Sequence, residues 1–147
     1  NLLSALRPGG RLAFVCWRAP RDNPWAMLPL VAAREAVGVT PPKSDPLAPG
    51  PFAFADETRV RAILLEANFR DVEAEAFDAP IWLGADVTSA ADAALRTGPV
   101  ARYMREHGAG RETQVLEALA RAVEPMASKD GSVSLAGATW IVTARAG

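Results

Sequence analysis

Few residues in this 147-residue chain could do chemistry, and each has a plain structural alternative. His107 is the only histidine and Cys16 the only cysteine. A histidine-based metal cluster, a cysteine-rich metal site and an intramolecular disulfide are therefore ruled out. His107 lies in the polar stretch REHGAGRE at an expected helix end, where a solvated imidazole facing the helix dipole is a simpler account than a catalytic base. Cys16 lies mid-strand among apolar neighbours, the setting of a buried, inert thiol. Glu73 and Glu75 share a strand face and read as a solvated pair at a sheet edge. Asp22 and Asn23 close the loop after the first expected strand, and ligands of open α/β sheets bind outside the carboxyl ends of strands. Asn23 is thus either a ligand-facing residue or the cap of a helix starting at Pro24.

The aromatic residues carry more information. Trp17, Trp25, Phe52 and Phe54 fall at that strand end, just after it, or in a proline-rich loop. Either they line an apolar pocket or they pack the loop against the domain. Neither G-x-G-x-x-G nor G-x-x-x-x-G-K-[ST] occurs, and Gly9-Gly10 precedes a strand rather than a helix. No phosphate-cradling loop is therefore expected.

Composition narrows the partners. Half of the residues are hydrophobic and 22% are charged, an ordinary globular mixture with enough apolar material for one domain's core. A formal net charge of -1 with scattered arginines argues against a nucleic-acid partner, which shows as clustered positive charge. No apolar run reaches the roughly 18 residues of a membrane span, and no stretch reads as a leader. The expectation is a cytoplasmic protein bound to neither nucleic acid nor membrane.

Positioning these residues falls to an alternating set of elements. NLLSAL reads as a helix end, stopped by Pro8 and Gly9. Arg11 to Trp17 is a continuous apolar strand, expected to be covered on both faces. A helix from Pro24 runs towards Val37, closed by Gly38, with Pro29 expected to kink or delay it. Five prolines between Pro41 and Pro51 mark a long semi-extended loop. Asp56 caps a helix whose apolar face is Val60, Ile63, Leu64 and Ala67. A strand over Val72 to Leu83 follows, limited to an edge or a bulge by Pro80. Helices are expected over Ala85 to Arg96, Pro99 to Glu106 and Glu112 to Met126, and a final strand over Ser132 to Ala144, with a possible bulge at Gly137.

Four blocks, LRPGGRL, CWRAPRDNPW, PGPFAFAD and RVRAILLEANF, together resemble the C-terminal half of a class I S-adenosylmethionine-dependent methyltransferase. The branch is the small-molecule one, similar to the ubiquinone and menaquinone biosynthesis methyltransferases. In that family a helix ends in L-[RK]-P-G-G before the fifth strand, which Leu6 to Trp17 matches. The family's next helix ends in a variant of A-G-F, and here Ala67, Asn68 and Phe69 stand in those places with Asn for Gly. The last strand is similar to the seventh, which is inserted antiparallel between the fifth and sixth.

The resemblance implies an α/β fold: the C-terminal part of a Rossmann-like methyltransferase sheet, three strands with the last antiparallel, plus inserted helices, in a single partial domain over residues 1–147. It implies methyl transfer from S-adenosylmethionine to a small, apolar acceptor. The family's Gly-rich cofactor loop, ribose-holding acid and adenine-flanking residues belong to the N-terminal half and have no counterpart here. No cofactor-binding residue, no catalytic residue and no metal ligand can be named, and the isolated chain is expected to bind no cofactor and to be inactive. Position alone marks Trp17, Asn23, Trp25, Phe52, Phe54, Trp82 and Tyr103 as substrate-pocket candidates. An unpaired edge on strand Arg11 to Trp17 is expected to be covered by self-association. The alternative function is a non-catalytic small-molecule-binding or protein-interaction domain derived from the same fold.

Overall fold

The computed structural model describes residues 3–42 and 48–147; the start of the expected helix end (1–2) and part of the proline-rich loop (43–47) lie outside the described residues. The described residues form a mixed α/β fold with five α-helices and a three-stranded antiparallel open sheet. The elements in chain order are β1 (Arg11–Trp17), α1 (Pro24–Val37), α2 (Glu57–Glu66), β2 (Phe69–Gly84), α3 (Val87–Arg96), α4 (Gly98–His107), α5 (Glu112–Val123) and β3 (Val133–Ala146). Short 3-10 turns occupy Leu3–Ala5, Pro20–Asp22 and Glu124–Met126. The strand order is β1-β3-β2, so the last strand of the chain is the middle one of the sheet. β2 lies at a sheet edge, where Pro80, lacking an N–H, is tolerated.

The chain divides into two compact units. The first holds Asn1–Pro20, Pro46–Asp78 and Ala138–Gly147; the second holds Arg21–Asp45 and Ala79–Gly137.

In the first unit, β1 pairs antiparallel with β3 from Arg11↔Arg145 to Trp17↔Thr139. A strand's side chains alternate, so this register fixes which residues share a face. Leu12, Phe14 and Cys16 lie opposite Ala144, Val142 and Trp140, and all six belong to one cluster with Val60, Leu64, Phe69 and Val72. Helix α2 covers that face. Asp56 accepts the Thr58 N–H at 2.9 Å to cap it, and Val60 and Leu64, one turn apart, point into the sheet. Its apolar face is narrower than the sequence suggests, because Ile63 is 39% exposed. Asn68 then reverses the chain with φ 63°, the left-handed conformation that Gly adopts without cost and Asn tolerates better than other residues.

The continuous apolar run of β1 led to an expectation of cover on both faces. The structure corrects it: Arg11, Ala13 and Val15 on the other face are exposed, Val15 to 63%. An unbroken apolar run sets no lower limit on exposure, and within this unit a single helix, α2, covers one face only.

In the second unit, α1, α3, α4 and α5 pack around Leu30, Ala33, Ala91, Ala94, Val115 and Leu119. Four of the five most enclosed contact positions between helices here are small or β-branched, which lets the helices approach closely. Helix α1 runs unbroken through Pro29, which is buried, so the expected kink is absent. Its carboxyl end is heavily capped. Gly38 is left-handed and donates to Arg34 O, Arg111 donates to Val37 O, Gln114 Nε2 to Ala36 O at 2.8 Å, and Tyr103 Oη to Val39 O at 2.7 Å. Helix α3 opens with a capping box: Asp86 accepts the Ser89 N–H at 2.7 Å and Ser89 Oγ accepts the Asp86 N–H at 3.1 Å. Gly84 precedes it by necessity, because a Cβ there would stand 2.5 Å from Ala90 N. At Gly137 the structure shows a close approach, with a Cβ meeting Ile81 Cγ1 at 2.6 Å.

Candidate functional site

The carboxyl end of β1 in the first unit gathers aromatic and polar side chains from several segments. The segment Ala53–Ala55, in the turn before α2, is fastened over the sheet by its main-chain carbonyls. Trp140 Nε1–H donates to Ala55 O at 2.9 Å, Cys16 Sγ–H to Phe54 O at 3.5 Å, and the Arg59 guanidinium to Ala53 O. The Phe54 ring leans on Phe14, with centroids 6.4 Å apart at 53°. Phe54 nonetheless stays 42% exposed, and Phe52 is half-buried in the turn preceding it. Phe54 therefore packs the loop onto the sheet while leaving part of an aromatic surface open. Trp17, half-buried, closes β1 opposite Thr139.

Arg18 continues from β1 and completes this end. Its N–H donates to Ala138 O at 2.9 Å, its guanidinium lies 5.2 Å over the Trp140 ring, and its Nη1 donates to Asp78 Oδ1 at 2.8 Å. The Arg18 side chain is 24% exposed and the Asp78 side chain 67%. Cys16 supplies no nucleophile: burial pushes its thiol above the usual range, which keeps it protonated at neutral pH.

The other candidates lie in the second unit. Asn23 occupies the position before α1, as expected for a cap, but its side chain makes no capping bond. It is fully buried, and Oδ1 accepts the Trp25 Nε1–H at 3.1 Å. The physical reason is competition: the indole N–H two residues on captures the acceptor that would serve the helix amides. Trp25 lines an apolar niche with Pro29, Leu83, Pro99 and Val100, with room for about one water molecule. That is too small to house a substrate. Trp82 projects outward at 65% exposure. Tyr103 is 3% exposed in the helical core with its hydroxyl committed to Val39 O, so it is a packing residue rather than a pocket wall. His107 ends α4 with its ring 5.1 Å from that of Tyr103 and Nε2 3.8 Å from Glu106 Oε2.

The structure thus groups Trp17, Phe52 and Phe54 in one unit and Asn23, Trp25, Trp82 and Tyr103 in the other. Sequence reasoning missed Arg18 and Trp140 as site residues. Arg18 falls just past the expected end of the first strand and Trp140 inside the expected last strand. Only the pairing Cys16↔Trp140 brings them to the same place, and a cross-strand register is not written in either segment alone.

The turn from β1 into α1 contains no glycine, and the turn from β2 into α3 has its helix amide already filled by the Asp86 carboxylate. Among the described residues no group of three His, Cys, Asp or Glu could hold a metal ion, and no helix is long and apolar enough to cross a membrane. No protein-family model matches the chain, and no curated protein matches it.

Proposed function

We propose that this chain is the acceptor-side part of a class I S-adenosylmethionine-dependent methyltransferase acting on a small, apolar molecule. One observation carries the reading: the strand order β1-β3-β2, in which the last strand runs antiparallel to β1 between two strands that precede it in the chain. The resemblance carried by the quoted sequence blocks implies the same order. Asn68 adds support, since the position where the resembling family carries Gly has φ 63° here.

In this reading the carboxyl end of β1, with Trp17, Phe52, Phe54 and Trp140, faces the acceptor. Methyl transfer is an in-line displacement that needs chiefly proximity and orientation, so apolar walls and one or two polar anchors are sufficient equipment on this side. No step is assigned to the cofactor, for which these residues offer no cradle. The open edge of β1 pairs with a second copy when the chain is isolated; a monomer by light scattering at high concentration would contradict this part.

The test is isothermal titration with S-adenosylhomocysteine on two samples. The 147-residue chain alone is expected to give no heat. An extended protein that joins this chain to a family cofactor-binding half is expected to bind in the micromolar range and to transfer a methyl group to an apolar acceptor. Silence in the extended protein overturns the reading in favour of a non-catalytic binding domain.

A further inference from the structure

Arg18 stands out because two of its contacts differ in strength and in what they fix. Its guanidinium lies over Trp140 at 5.2 Å, and Trp140 is itself held at the far side by its bond to Ala55 O. With three quarters of its side chain covered, Arg18 is positioned by packing. Its ionic partner, Asp78, comes from the sheet-edge strand β2 and is 67% exposed. An ion pair with one member so open to water contributes little and is readily replaced.

We propose that Arg18 is a carboxylate-recognition residue, and that a small molecule with an aromatic body and a carboxylate binds by taking the position of Asp78 on the guanidinium. A guanidinium already held over an indole loses little freedom on binding, and its planar fork matches a carboxylate's two oxygens. The displaced Asp78 carboxylate moves fully into water, where it needs no partner. The turn fastened over that sheet face supplies the apolar contact: the Phe54 ring, resting on Phe14, keeps an open surface. The proposal does not rest on the acceptor-side reading: this anionic molecule is a ligand distinct from the apolar methyl acceptor.

The experiment is a titration of the ¹⁵N-labelled chain with benzoate, and with benzamide as the neutral isostere, following the indole N–H of Trp140 and the Nε–H of Arg18. Benzoate is expected to shift both signals saturably and benzamide neither. Asp78→Asn, at an exposed position, is expected to tighten benzoate about fivefold by removing the competitor. Arg18→Lys keeps the charge but not the stacked fork, and is expected to weaken binding about tenfold. Unmoved signals with benzoate, or an Asp78→Asn variant that binds no more tightly, would overturn the proposal and leave Arg18–Asp78 as a clasp between strands. Because no cofactor is present, this outcome is independent of the S-adenosylhomocysteine titration, and either reading can fail alone.

Discussion

The indole N–H of Trp140, in the middle strand, donates to the main-chain oxygen of Ala55 at 2.9 Å, tying the turn before α2 to the sheet. Because the acceptor is a carbonyl, the tie is indifferent to the side chains at positions 54 and 55. It fixes the backbone that carries Phe54. Trp140→Phe keeps most of the packing and removes the donor, and is expected to cost roughly 1 kcal/mol in urea unfolding. Hydrogen exchange at the Ala53 and Ala55 amides, which close the turn by bonding to Gly50 O and Phe52 O, is expected to accelerate, with α5 unaffected. Unchanged exchange in the turn would show that the Phe54–Phe14 contact and the Cys16 and Arg59 hydrogen bonds secure it without the indole.

Asn68 tests the backbone directly. At φ 63° the residue is left-handed, where a Cβ clashes with the neighbouring carbonyl. Asn68→Gly is expected to stabilise the protein by about 0.5 kcal/mol, the relief being partly offset by the greater freedom of Gly in the unfolded chain. Asn68→Ala is expected to destabilise by about 1 kcal/mol. Urea midpoints at constant slope check both, and a reversed order would contradict the left-handed geometry.

Tyr103 serves as a packing and capping residue. Tyr103→Phe removes only the hydroxyl that donates to Val39 O and is expected to cost about 1 kcal/mol without altering ligand binding. A loss of ligand binding with stability intact would return Tyr103 to the site.

Acid should loosen the molecule in a defined range. The Ser89 N–H holds the Asp86 carboxyl below its usual value, Arg96 does the same for Asp92, and the Ser132 hydroxyl for Asp130. A carboxyl with a lowered folded-state pKa is protonated more readily in the unfolded chain, so its contribution is present above the unfolded value and is lost as pH falls through the folded one. The Tm is expected to be level from pH 7 to 5 and to decline from about pH 4 downward. Asp86→Asn combined with Asp130→Asn should flatten that decline. An equally steep fall in the variant would assign acid sensitivity to other carboxyls.

What the sequence made legible follows the range of the interactions. The Asp56 cap, the Gly38 stop of α1 and the edge position of the Pro80 strand are local choices, and each reads from a few neighbouring residues. The middle position of β3 came from resemblance, since nothing in Val133–Ala146 itself names its neighbours. Asn23 went astray at a distance of two residues because two kinds of donor were available to its oxygen and the indole prevailed. Trp140, Arg18 and the turn at Ala55 meet only through pairing and packing between segments far apart in the chain. Their types gave no sign of it.

The central place of the last strand has a kinetic side. Among the described residues β1 pairs with residues 139–145, so this pairing closes a far longer loop than that of β2 with β3. Loop closure of that kind slows folding, whereas α3, α4 and α5 follow one another closely and can assemble early. The helices of the second unit are thus placed to form first and the sheet of the first unit to zip last. Until it does, the apolar face of β1 is open, which makes this strand the place where a folding chain is most exposed to the wrong neighbour.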